Sequence, residues 1–487
     1  MADKGNPGKR GQWTISRRTA VAGMAGTAAL AALPGCSREA AGYAPIEGQP
    51  NFLFIMADDL GYADLSCYGR MEYQTPVLDR LASEGMQFMH GYANSAVCSA
   101  TRFGLITGRY QYRLRAGLEE PLGGTALGLD PEHPTLPSLL RDLGYHTALI
   151  GKWHMGLLPT YGPLKSGYDE FWGNRGGGVD YYTHAIAGAH DAWDADDPAV
   201  DEIGYYTDLL GDHSLTFLEQ RAQEDKPWLL SLHFTAPHWP WQGKDDLGKS
   251  ESDRISKMEP GAELNVLHYD GGTMATYANM VQQLDTNIGR VLEKLVELGM
   301  DANTVVVFTS DNGGERFSFN WPFHGQKTEL LEGGIRVPWL VKWPGLAAPG
   351  STSDEPIMSM DMLPTFLAAA GGAPDPAYPS DGLDIRPALE GGGLPARDLF
   401  WRFHNKDQKA VRRGRHKYLS INGNEFLFDI LEDPQERGNL KNRQPELFEE
   451  LKQAYVEWDA PMVHANDVSS WGVAPENVAE RFNPTPD

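Results

Sequence analysis

Cys98 is followed by Ser99, Ala100, Thr101 and Arg102, which sets a potential nucleophile four residues ahead of a guanidinium. The stretch from Thr101 to Tyr110 predicts a helix, and Cys98 then stands near its N-terminus. There the free N–H groups and the helix dipole favour an anion, and Arg102 adds a planar fork of donors for an oxyanion. As a thiolate, Cys98 could itself attack an electrophile. A free cysteine more often fills a small buried space, and no protease-type cysteine pattern surrounds this one.

Two acidic pairs form the second set, Asp58-Asp59 and Asp311-Asn312. Their hard oxygens suit calcium or magnesium. Each alone also reads as a cap or a turn, Asp-Asn-Gly above all. Lys152 and His154 stand two apart in GKWH, on one face if the chain is extended there, where they can grip an anion and move a proton. The alternative is two surface polars around a packed Trp153. His238, in TAPHWP, has the same two readings, and Lys327, in HGQKTELLEGGIRVP, precedes a short helix where a solvated lysine is ordinary.

The elements that must carry these residues are short apolar runs: Asn51 to Met56, Tyr145 to Ile150, Trp228 to Phe234 and Thr304 to Thr309. Helical patterns lie between them, clearest from Tyr277 to Leu298, where Val281, Leu284, Ile288, Val291 and Leu295 recur. Alternation of this kind predicts an α/β fold, a large mostly parallel sheet sandwiched by helices. Each run ends in the polar residues just named: Asp58-Asp59, Lys152 with His154, His238, and Asp311-Asn312. In open α/β sheets ligands bind beyond the carboxyl ends of strands, so four such ends can converge on one site. Beyond Gly345 a short helix opens at Met362-Leu363-Pro364-Thr365. Strand-like runs follow at Leu399 to Phe403, Lys417 to Ile421 and Glu425 to Ile430, then a helix from Pro445 to Val456. These predict a smaller C-terminal antiparallel-sheet subdomain.

The 41% hydrophobic and 22% charged residues of this 487-residue chain exclude disorder and allow a large core. Lys9, Arg10, Arg17 and Arg18 precede an apolar run from Ala20 to Leu33, which reads as an export signal. Ser16-Arg17-Arg18-Thr19 is similar to a twin-arginine signal, and Leu33-Pro34-Gly35-Cys36 to a lipoprotein cleavage box that would leave a lipidated Cys36 attached to the membrane. The expected organisation is an export signal at 1–36, a tether at 37–50, a catalytic domain at 51–360, a C-terminal subdomain at 361–465 and a tail at 466–487. The expected location is periplasmic or at the cell envelope. The formal charge of −24 becomes −28 once the net +4 of residues 1–35 is set aside, which argues against nucleic acid as a partner. Of three cysteines, Cys36 belongs to export and Cys98 to the motif, leaving Cys67 alone, so no disulfide framework supports the fold.

Five stretches taken together, MADDLG, CSATR, GKWH, TSDNGG and HGQK with EGGIRVP, resemble type I sulfatases, formylglycine-dependent members of the alkaline phosphatase superfamily. The resemblance spans about residues 50–440. It implies that Cys98 is oxidised to formylglycine by a maturase and that one Ca2+ is bound by Asp58, Asp59, Asp311, Asn312 and the modified Cys98. It implies that Arg102 and Lys152 steady the formylglycine hydrate and that His154 is the base that releases sulfate. Lys327 and His238 would hold the sulfate and help the alcohol leave. Ala100 stands where the family most often has proline, which points to an alanine-tolerant, radical-type maturase. The implied activity is hydrolysis of a sulfate ester, on a sulfated carbohydrate or an aryl sulfate. The rivals are a phosphonate or phosphate diester hydrolase of the same superfamily and, if Cys98 stays a thiol, a lipoprotein that binds sulfated glycans without cleaving them. Trp153, Trp172, Trp239, Trp241, Trp321 and Trp401 can stack on sugar rings or fill cores. Trp239 and Trp241, beside His238, are the leading subsite candidates, and Arg175 and His184 are expected at the cleft.

Overall fold

The computed structural model describes residues 44–118, 126–186, 189–246 and 272–465. The expected export signal, Cys36, the tether up to residue 43 and the tail from 466 lie outside the described residues. Among the described residues, no helix is long and apolar enough to cross a membrane.

The strand Asn51–Ala57 is apolar at every position after Asn51 because both of its faces are covered. Phe52, Phe54 and Met56 point into a core layer shared with the helices Cys98–Thr107, Leu136–Asp142 and Met362–Ala369, where Phe366 stacks on Phe52 at 4.2 Å. Leu53, Ile55 and Ala57 point the other way, toward the helices Pro76–Glu84, Tyr206–Arg221 and Met274–Glu297. The last of these is the helix expected over 277–298, and Leu284, Ile288, Val291 and Leu295 form its buried stripe.

The sheet has ten strands among the described residues. Its centre is the parallel set Thr304–Ser310, Asn51–Ala57, Trp228–His233 and His146–Gly151, each hydrogen-bonded to the next. These are the four runs singled out in the sequence, side by side and pointing the same way. Trp339–Lys342 continues the sheet in antiparallel sense beyond Thr304–Ser310, and Glu170–Gly173 extends it in parallel sense beyond His146–Gly151.

The C-terminal sheet is antiparallel, in the order Asp398–Phe403, Gln408–Arg413, His416–Ile421, Asn424–Asp429. Gln408–Arg413 is absent from the strands expected, because QKAVRR holds only two apolar residues and four polar or charged ones. Leu399, Trp401, Ala410, Leu419 and Phe428 face the main body, whereas Val411, Tyr418 and Leu427 face the helix Pro445–Asp459. Trp401 is fully buried, its ring lies 5.2 Å from that of Tyr92, and its indole N–H donates to Ala93 O at 2.9 Å. The described residues form one compact unit that carries both sheets.

Candidate active site

The four central strands deliver their terminal residues to one place. Asp58 and Asp59 follow Asn51–Ala57, and Asp59 turns the chain with φ 61°. Asp311 and Asn312 follow Thr304–Ser310, and the Asp59 amide donates to Asp311 Oδ1 at 3.2 Å. Lys152 and His154 follow His146–Gly151. Strand alternation is not what brings these two together, since the strand ends at Gly151 and His154 has φ 58°, a turned backbone rather than an extended one. Both are nonetheless buried in the site, with Trp153 packed behind them.

The helix Cys98–Thr107 starts at Cys98 itself, three residues before the expected run, and no side chain caps it. Gly108 ends it at φ 64°, a conformation that glycine adopts without strain. Cys98 Sγ lies 3.5 Å from His154 Nδ1, and Ser99 Oγ donates to His154 O at 2.7 Å. One turn on, the fully buried Arg102 donates through Nη2 to Asp311 Oδ2 at 2.7 Å and through Nη1 to Lys152 O at 3.0 Å. Its Nη1 also lies 3.3 Å from His233 Nδ1. His233 is a buried site neighbour missed in the sequence, hidden there inside an apolar run.

Lys152 Nζ bonds Asp58 Oδ2 at 2.5 Å. Lys327 Nζ bonds Asp59 Oδ2 at 2.8 Å, and His238 Nε2 lies 3.6 Å from the same oxygen. Lys327 is thus a site residue and not a solvated one. His238 donates through Nδ1 to Trp239 O, which turns Nε2 toward Asp59. The Gly-rich stretch after Arg175 closes this side: a Cβ on Gly177 would stand 2.7 Å from His154 Cε1, so only glycine leaves room for the ring.

Charge is concentrated and buried here. Burial and the neighbouring Asp311 push the Asp58 carboxyl well above its usual value, against the pull of Lys152. Burial pushes Asp59 up too, but Lys327 and His238 outweigh it and hold Asp59 at about 2. Burial, reinforced by Lys152 and Arg102, holds His154 well below the ordinary histidine value, so it sits neutral as a proton acceptor. Its Nε2 is buried without a partner.

Two further buried atoms, Asp58 Oδ1 and Asn312 Oδ1, have no hydrogen-bond partner. Buried acceptors in this state call for a donor or a cation. Ligand atoms of Asp58, Cys98 and Asp311 lie within 4.8 Å of one another, as do those of Asp58, Asp59 and His238. A set dominated by hard oxygens fits a divalent cation of the calcium or magnesium kind.

The tryptophans sort differently from the expectation. Trp239 and Trp241 are only 8% and 4% exposed, one with its ring beside His238, the other against Phe317. Trp153, Trp172 and Trp401 are core. Trp321, on the loop between Asn312 and Lys327, is 57% exposed. Arg175 is turned to Asp196 and the ring of Trp193, and His184 to Gly204 O.

Comparison with known proteins agrees with this geometry. The sulfatase family profile matches residues 50–373. The chain is 32% identical to N-acetylgalactosamine-6-sulfatase of Canis lupus familiaris over 399 residues, covering 76% of this chain and 71% of that one. It is also 32% identical to the steryl-sulfatase of Mus musculus, covering 76% and 69%. A crystal structure of Ps i-CgsB in complex with k-i-k-neocarrahexaose superposes with a TM-score of 0.77 at 28% identity, covering 89% of this chain and 97% of that one. With the motif residues gathered at the strand ends and this breadth of likeness, the chain belongs to the sulfatase family of the alkaline phosphatase superfamily and is a sulfuric ester hydrolase.

Proposed function

We infer that this sulfatase cleaves the sulfate ester of a sulfated carbohydrate at a formylglycine derived from Cys98, beside one calcium ion. The observation that carries the reading is the place of Cys98 Sγ, within 4.8 Å of ligand atoms of Asp58 and Asp311 and 3.5 Å from His154 Nδ1. Asp58, Asp59, Asp311 and Asn312 would hold the cation, with the modified Cys98 as a further ligand. When bound, the cation and the hydrated aldehyde supply Lewis-acid polarisation and an oxygen nucleophile.

The chain's own residues do the rest. Arg102 and Lys152 orient the group at position 98 and offset negative charge in a buried site, where each donor counts for more than in water. His154, held neutral, takes a proton at that group. Lys327 and His238, both against Asp59 Oδ2, face the sulfuryl oxygens and assist departure of the alcohol. Trp321, exposed on the loop between Asn312 and Lys327, offers an apolar ring face for a sugar. The k-i-k-neocarrahexaose in complex with Ps i-CgsB supports a carbohydrate substrate. Export through the twin-arginine signal, attachment through lipidated Cys36 and modification by a maturase belong to the same reading.

The test is the mass of the tryptic peptide Leu81–Arg102 from protein made in its native host. Conversion lowers it by about 18 Da and creates a hydrazide-reactive aldehyde. A full-mass thiol in active protein overturns the reading. Faster turnover of an aryl phosphonate than of an aryl sulfate would move the substrate assignment to the phosphonate and phosphate diester branch of the superfamily.

A further inference from the structure

We propose that Gln408, the first residue of a strand in the C-terminal sheet, is a positioning residue that sets Lys327 in the active site. The proposal rests on the reading of Lys327 as a sulfate-holding residue.

Lys327 reaches Asp59 from a turn rather than from a strand or helix. The turn is held at three points. The Lys327 amide donates to Gly314 O at 3.1 Å, two residues beyond Asn312. The Thr328 amide donates to Ala96 O at 2.8 Å, two residues before Cys98. The third point comes from the C-terminal sheet: Gln408 Nε2 donates to Thr328 O at 2.8 Å, and Gln408 Oε1 accepts from the Leu330 amide at 2.9 Å.

Thr328 needs this grip. It has φ 71°, a left-handed conformation unfavourable for a β-branched residue, and such geometry persists only where the surroundings over-determine it. Gln408 is suited to the task. It is 1% exposed, and its second amide hydrogen goes to Asn405 O at 3.0 Å. All three bonds agree on one orientation of the amide, because a flip would set N–H against the Leu330 N–H and oxygen against two carbonyls.

The same sheet holds the far end of the segment. Lys417 Nζ lies 2.9 Å from both Glu332 Oε1 and Glu436 Oε1, and the Glu332 amide donates to Glu436 Oε2 at 2.7 Å. The C-terminal sheet therefore frames the loop carrying Lys327, with Gln408 the contact nearest the lysine.

The experiment compares the full-length mature enzyme with Gln408→Met, which keeps the side-chain length and removes the three bonds. Hydrogen exchange at the Leu330 amide, which loses its acceptor, should quicken by about ten- to hundredfold, as expected for a lost buried hydrogen bond. Aryl sulfate kcat/KM should fall by a similar factor. In a Lys327→Ala background the same substitution should change kcat/KM by no more than about twofold, since both act through one group. Unchanged exchange, or an equal loss with and without Lys327, overturns the proposal. If Gln408→Met does not fold, Gln408→Ala, which leaves room for water to meet the freed Leu330 amide and Thr328 carbonyl, should give the same non-additivity. If the wild-type enzyme, with position 98 converted, turned over no sulfate ester, the sulfate role of Lys327 would fail, while the exchange measurement would still decide whether Gln408 holds the turn.

Discussion

Lys152 Nζ lies 2.5 Å from Asp58 Oδ2, and this buried pair joins the ends of two strands separated in the sheet by Trp228–His233. Arg102 completes the lattice by bonding Asp311 and the Lys152 carbonyl. Removing the lysine leaves Asp58 and Asp311 facing each other with less positive charge. Lys152→Ala is expected to cost about 3–5 kcal/mol of stability in cation-free protein, the usual penalty for breaking a buried pair from one side. Urea unfolding of chelated wild-type and variant protein measures it, and a loss below about 1 kcal/mol would contradict the arrangement.

Chelation should act in the same place. With Asp58 Oδ1 and Asn312 Oδ1 lacking partners, removing a bound cation leaves acceptors and like charges uncompensated. A strong chelator should abolish aryl sulfate turnover and lower Tm by a few degrees, and excess calcium should restore both. Full activity after exhaustive chelation and dialysis would show that the acidic set holds no catalytic cation.

Trp321 separates substrate classes. Because it is exposed, Trp321→Ala should alter stability by no more than about 0.5 kcal/mol. Loss of one stacking face, about 1 kcal/mol, should raise KM for a sulfated oligosaccharide about fivefold. KM for a small aryl sulfate should stay unchanged. Equal effects on the two substrates would remove Trp321 from carbohydrate recognition.

The Glu332–Lys417–Glu436 group predicts a pH dependence of stability. Burial and the charge of Glu332 raise the folded Glu436 to about 7 despite Lys417. A carboxyl raised on folding binds more protons in the folded state between the unfolded value, about 4.5, and 7, so its contribution is lost as pH rises through that window. Glu332 runs the other way. Burial pushes it up, but Lys417, Arg336 and Arg412 and a bond from Tyr92 bring it to about 2, so its contribution is lost as pH falls below 4.5 toward 2. Glu436→Gln should therefore match the wild type near pH 5 and gain on it by pH 8, by the order of 1–3 kcal/mol. Thermal unfolding at the two pH values checks this, and a gap that does not widen with pH refutes it.

The four central strands are legible in the residue pattern, because a strand covered on both faces must be apolar along its length and cannot hide. So are the residues that stand at their ends, since polar side chains follow each apolar run directly. The two acidic pairs, Lys152, His154 and His238 meet in the structure as a result, and Cys98, Arg102 and Lys327 join them from a helix and a turn. Features that depend on contacts between distant segments emerge from the folded chain alone. His233 looks like one more residue of an apolar strand until Arg102 is packed on it. The polar strand opening at Gln408 has no periodic signal, and its side chain gains meaning only from the Thr328 turn, 80 residues away. Burial sorted the tryptophans in the same way, hiding Trp239 and Trp241 and leaving Trp321 exposed. Exposure is set by which surfaces the whole chain covers, and no local pattern of residues carries that information.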